Sequence, residues 1–158
     1  IYDFYVLKTP AKNVSYRGVS LKERGFNRNT VINQIKKISP DLNTNMIGLG
    51  NDENILESLK MNDISNHFKD TFKSTPFEYA IYKYKKSSFK KTERFFYYIR
   101  CALAHGAFCI HTHDNEKYYC FENIHNNSKK MILNARMVLK EKTLLDIIEF
   151  CDSKMNTN

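Results

Sequence analysis

Nothing in this sequence approaches the roughly 20 consecutive apolar residues that a bilayer-spanning helix requires, so no membrane partner is expected. No secretory signal pattern opens the chain. It begins at Ile1 rather than Met, which leaves open a trimmed N-terminal region. The four cysteines, Cys101, Cys109, Cys120 and Cys151, include no C-x-x-C pair. Neither a disulfide framework nor a usual zinc module is indicated, and reduced thiols in a cytosol are the simpler account. No internal repeat and no long low-complexity tract interrupts the chain.

The 158 residues are 42% hydrophobic and 13% aromatic, enough to bury one sizeable core, so residues 1–158 read as a single domain. The formal net charge is +8. A basic balance favours an anionic partner, nucleic acid being the commonest, while Lys-rich solvated faces account for the same number.

Residues up to about Gly25 mix short apolar groups with turn residues and fit no clear element. Val31, Ile32, Ile35 and Ile38 recur at helical spacing, with Asn29 or Thr30 as cap and Pro40 as terminator. Ile55, Leu56 and Leu59 repeat the pattern, and Ile64, Phe68 and Phe72 extend it. Gly48 to Asn51 reads as a loop and cap before that helix. Thr75, Pro76 and Glu78 have the form of a capping box, which predicts a helix burying Phe77, Ala80, Ile81 and Tyr84. Another helix is predicted from about Phe89 to His105, with Gly106 as its left-handed stop. The period then changes. Two aromatic and β-branched runs flank Asp114-Asn115 as a hairpin. Met131, Leu133, Ala135, Met137 and Leu139 alternate as one strand face, with Asn134, Arg136 and Lys140 on the other. Thr143 would cap a last helix through Leu144, Leu145, Ile147 and Ile148. The expected fold is α+β but mainly α, a helical bundle carrying a small antiparallel β meander near the C-terminal third.

On a helical wheel, Phe95, Phe96, Ile99, Ala102 and Leu103 of the segment RFFYYIRCALAHGAF fall in one arc, the core face. Glu93, Tyr97, Arg100, Cys101, Ala104 and His105 fall opposite. That second face is small and aromatic, with an arginine and a histidine set in it, and suits a partner helix, a second copy of the chain being the economical choice. Arg100 and His105 lie roughly 140° apart on one helix, so a dimer, or unwinding at Gly106, would be needed to aim both at one point.

The pattern of arginine, four residues, histidine and glycine at a helix end, RCALAHG from Arg100 to Gly106, resembles the signature of HEPN-domain proteins. The likeness covers residues 89–150, taking in the following hairpin, the strand and the TLLDII segment. The N-terminal half resembles the family only in being helical. Many HEPN proteins are metal-independent ribonucleases of toxin–antitoxin, abortive-infection and RNA-processing systems, with active sites formed in dimers from two such helices. The resemblance implies a cytoplasmic, homodimeric endoribonuclease in a toxin–antitoxin or phage-defence setting. It would need no cofactor, use Arg100 and His105 as catalytic residues, and have an antitoxin or regulatory protein as a further partner. The family commonly places a polar residue after the arginine. Cys101 stands there, which keeps a second reading open: a non-catalytic HEPN module for dimerisation and nucleotide or protein binding.

The chemistry stands apart from the family. RNA carries its own nucleophile in the 2′-OH, and cleavage needs a base, an acid and a cation at the phosphorane. Histidines divide the acid and base roles near neutral pH, and an arginine fork serves the developing oxyanions. Tyr97 would position a phosphate or stack on a base, or simply pack. Glu93 would orient Arg100 only indirectly. Lys86, Lys90 and Lys91, in a lysine run interleaved with aromatics, are candidate RNA-backbone contacts or a solvated face. The structural alternatives are a buried Arg100 paired with a carboxylate and a His105 that satisfies the last helical carbonyls. Cys109, His111 and His113 share a strand face with Cys120 opposite. Adjacent strand positions rarely converge on one tetrahedron, so no metal is expected there.

Overall fold

A computed structural model of the chain describes residues 1–11, 18, 20–50, 52–65, 67–70, 77–84, 91–127 and 130–153. Its frame is a five-stranded mixed sheet in the order β1-β2-β5-β4-β3. The strands are β1 (Met46–Leu49), β2 (Tyr79–Lys83), β3 (Phe108–His113), β4 (Glu116–Asn127) and β5 (Lys130–Lys140). β1 and β2 are parallel, and every other neighbouring pair is antiparallel. Five α-helices are described: α1 (Arg28–Ile38), α2 (Pro40–Asn45), α3 (Ile55–Met61), α4 (Lys91–His105) and α5 (Glu141–Ser153). A π-helical turn, Asp3–Leu7, opens the chain, and a 3-10 turn spans Phe68–Asp70.

Alternate residues of each strand feed two cores. Ala80, Tyr82, Phe121, Ala135, Met137 and Leu139 face α1, α4, α5 and the N-terminal turn. Tyr79, Ile81, Tyr118, Cys120 and Val138 face α3, with Ile55, Leu59 and Ile64. Helices thus cover both faces of one sheet, which corrects the expected mainly helical bundle with a small meander. The meander exists as β3-β4-β5, but β2 and β1 continue it into an α/β sheet.

The largest single correction is at β2. The segment expected to form a helix after Thr75-Pro76 is a strand from Tyr79, and residues 71–76 lie outside the described set. Tyr79, Ala80, Ile81 and Tyr82 are all buried, because β2 is covered on both faces; a short continuous apolar run does not distinguish such a strand from a buried helix. Glu78, 3% exposed, is therefore not a helix cap but a tie. Its carboxylate accepts from the Lys140 backbone N–H at 2.7 Å and from the Ser39 hydroxyl at 2.5 Å, and its own N–H donates to Asp41 at 3.1 Å.

Other expectations shift less. α1 is capped by Asn27, whose side chain accepts from the Asn29 N–H at 2.9 Å. Pro40 does not merely stop α1; it occupies the first turn of α2, with Ser39 as cap. Asp63, at φ 55, breaks the chain after α3, so the helical pattern does not run on; Ile64 and Phe68 still join the second core, and Phe72 lies outside the described residues. Of residues 48–51, read as a loop, Gly48 and Leu49 end strand β1, Gly50 lies beyond it, and Asn51 is outside the described residues. In β5, pairing slips between Asn123 and Ile124 so that Leu133 packs in the second core instead of beside Ala135. Arg136, assigned to a polar face, is 2% exposed: it pairs with Glu122 at 2.5 Å and donates to the Ser65 carbonyl at 3.0 Å. α5 begins at Glu141, ahead of Thr143.

Two local devices are as read from the sequence. Gly106 has φ 68, and the Ala107 N–H reaches back to the Ala102 carbonyl at 2.9 Å, a Schellman closure of α4. Asp114 and Asn115 have φ 48 and 63, the type I′ pattern whose twist matches a two-residue hairpin.

A Cβ at Gly106 would meet no atom within 4 Å, so Gly106→Ala tests backbone conformation alone; a loss of about 1–2 kcal/mol is expected in urea unfolding. Glu78→Ala orphans two donors and should cost about 2–3 kcal/mol by the same measurement, with Glu78→Gln costing less because one acceptor oxygen remains.

Candidate functional site

α4 forms because its aromatic and aliphatic residues stack at helical spacing onto the β4 and β2 face. Phe95, Phe96, Ile99, Ala102 and Leu103 are buried, as the wheel requires. The Tyr98 hydroxyl donates to the Lys83 carbonyl at 2.9 Å and fastens the helix to the end of β2.

The opposite face is narrower than the wheel suggests. Glu93 and Cys101 are 8% and 6% exposed and belong to the buried side. Tyr97 and Arg100 are half-buried, and Ala104 and His105 are exposed. Arg94, absent from the sequence-derived set, lies over the Tyr97 ring at 4.9 Å and the Tyr98 ring at 5.8 Å. Its signal was the three-residue spacing to Tyr97, which places both on one helical face. Burial, followed by the neighbouring Cys101 thiol, pushes the Tyr97 phenol above its ordinary value, while Arg94 and Arg100 pull it down. The Nε of Arg100 is buried and has no hydrogen-bond partner among the described residues.

His105 ends the helix about 7.5 Å along the axis from Arg100 and roughly 140° around it. The structure brings Tyr97, Arg100 and Cys101 together and sets His105 beyond them, open to solvent. Lys91 sits at the far end of α4, its stem against Gly48, and burial and then Lys36 lower its pKa. It is therefore not beside His105. Lys86 and Lys90 lie outside the described residues.

The β3–β4 hairpin contributes a second constellation on the other face of the sheet. Cys109 and Cys120 are directly opposed in the ladder, and Cys109 Sγ lies 3.4 Å from His111 Nε2. Sγ of both cysteines and a ring nitrogen of His111 all fall within 4.8 Å of one another. The expectation that these strand positions would not converge is overturned: the type I′ turn sets the cross-strand register, and the His111 ring leans back over Cys109. Burial raises the Cys109 thiol and pushes Cys120 up to about 12. His113 is exposed and pairs with Asp114 at 3.3 Å, and it is not one of the three converging donors.

A cleft of about 560 Å³ also opens on the α3 side, bounded by Asp52, Glu53, His67, Lys83, Lys130 and Arg136 among others. Its lining mixes both signs of charge and comes from segments distant in sequence, so no local motif announced it. Among the described residues, no helix is long and apolar enough to cross a membrane.

No family model matches the chain, and searches of curated proteins and of solved structures returned no match. The functional reading therefore rests on the residues themselves.

Cys101, Cys120 and Cys151 are buried and Cys109 is half-buried. In reduced protein, iodoacetamide should label Cys109 first, with the other three protected until unfolding, as read by peptide mass spectrometry. Because its folded pKa is raised, the Cys109 rate should go on climbing with pH past the point where a free thiol levels off.

Proposed function

We propose that this chain is a metal-independent endoribonuclease of the HEPN type, acting as a homodimer through the C-terminal half of α4. The observation that carries this reading is Arg100, half-buried and with no hydrogen-bond partner for its Nε among the described residues, on the same helix as a solvent-exposed His105. A guanidinium held partly out of water favours an anion, and phosphate is a group its fork fits well.

In the proposed reaction, one imidazole takes the 2′-OH proton and the 2′-oxygen attacks phosphorus. The P–O5′ bond breaks, and the 5′-oxygen takes a proton from a second imidazole. The products are a 2′,3′-cyclic phosphate and a 5′-hydroxyl. Arg100 donates to the non-bridging oxygens as charge builds there. One chain holds one such histidine, and it points away from Arg100, so the second copy supplies the other half. Exposed Ala104 and the turn at Gly106 leave room for close approach. Tyr97, with Arg94 over its ring, would offer a surface for a base. A toxin or phage-defence role in the cytoplasm, with an antitoxin as regulator, belongs to the same reading.

Cys101 favours the second reading. It is buried, so the position after Arg100 contributes no polar group to the exposed face. A module that dimerises and binds RNA or nucleotides without cutting is the alternative.

The test is cleavage of end-labelled single-stranded RNA in EDTA, with sizing of the protein alongside. The wild type should generate cyclic-phosphate ends, and His105→Ala and Arg100→Ala should each lower the rate by about 100-fold or more. Cleavage unaffected by either change would sink the proposal. RNA binding by an intact dimer without cleavage would establish the second reading.

A further inference from the structure

We propose that Cys109, His111 and Cys120 form a binding site for a thiophilic divalent cation, zinc(II) being the biological case, that fastens edge strand β3 to β4. Cys109 and Cys120 face each other across the antiparallel pair, and His111 is two residues along β3 on the same side. In tetrahedral zinc sites, Zn–S bonds of about 2.3 Å and Zn–N bonds of about 2.0 Å put sulfur and nitrogen about 3.5 Å apart, and two sulfurs about 3.8 Å apart. The Cys109–His111 separation of 3.4 Å already matches that edge, and the whole set lies within 4.8 Å. The donors need to close up only by rotamer adjustment.

The donor chemistry selects the ion. Two thiolates and an imidazole suit zinc, whereas magnesium and calcium require oxygen ligands. On binding, each cysteine loses its proton to solvent and forms an S–Zn bond, and the imidazole binds through Nε2 with its own proton on Nδ1. Cys120 lies wholly inside the second core, while Cys109 and His111 are half-buried, so the site has a dry floor and an open mouth. The next residue on that face, Glu122, is committed to Arg136 at 2.5 Å. The fourth corner therefore belongs to solvent. Among the described strands β3 is one of the two sheet edges and pairs only with β4, so a metal bridging the two would hold that edge closed. The site faces away from α4 and is independent of the proposed nuclease function.

Titration of the reduced chain with cobalt(II) tests this. A thiolate-to-cobalt charge-transfer band and intense visible absorption should appear, saturate at one ion per chain and vanish on adding zinc. Cys109→Ser and His111→Gln, both at half-buried positions, should weaken cobalt binding at least about tenfold with unchanged circular dichroism. His105→Ala should bind cobalt as the wild type does, whatever its effect on RNA. A weak octahedral spectrum, or equal binding by wild type and both hairpin variants, would overturn the proposal. So would a Cys109–Cys120 disulfide in the purified protein that takes up no cobalt after reduction.

Discussion

Burial of β2 and β5 on both faces is the constraint from which the rest of the architecture follows. A strand sandwiched in this way cannot leave side chains of either parity in water. β5 accordingly sends Ala135, Met137 and Leu139 to one core and Val138 to the other, and it can keep Arg136 only by matching its charge to Glu122 and a donor to the Ser65 carbonyl. Removing one partner of such a buried pair leaves an uncompensated charge. The same double cover explains why α4 lies flat on one face and the cysteine–histidine hairpin presents its side chains on the other: one sheet separates the two candidate sites.

What the sequence made legible were the elements whose signals are local. α4 has a long apolar stripe and a glycine stop, the hairpin has a two-residue Asp-Asn turn, and β5 has clean alternation as far back as Ala135. What it concealed depended on distant chain. β2 reads as a helix because Thr75-Pro76 and Glu78 imitate a cap, and only its neighbours β1 and β5 make Tyr79 to Lys83 a strand. β1 is four residues long and includes a glycine, too little to carry a period. The slip at Asn123 cannot be seen in β5 alone, since the alternation continues through it on paper.

The candidate site divides in the same manner. Arg100, Tyr97 and His105 were readable from helical spacing. Burial of Glu93 and Cys101 was not, because the wheel treats the helix as touching one surface, whereas α4 is also flanked by α1 and the N-terminal turn. Arg94 is not legible in the sequence, because a cation beside two tyrosines looks like any solvated charge until the rings are placed. The metal-capable trio failed a spacing rule framed for loops and knuckles. A cross-strand pair meets through register, which no count along the chain reveals.

The Tyr5 hydroxyl donates to the Leu144 carbonyl at 3.0 Å, and Arg24 meets Asp152 at 3.2 Å, contacts spanning 139 and 128 positions. Such closures join segments that are far apart in the chain. A ribosome-bound chain therefore holds Tyr5 without this native partner until α5 emerges, and assembly awaits non-local contacts that come late. The order of translation, as much as the final packing, sets how long that apolar surface stays open to chaperones.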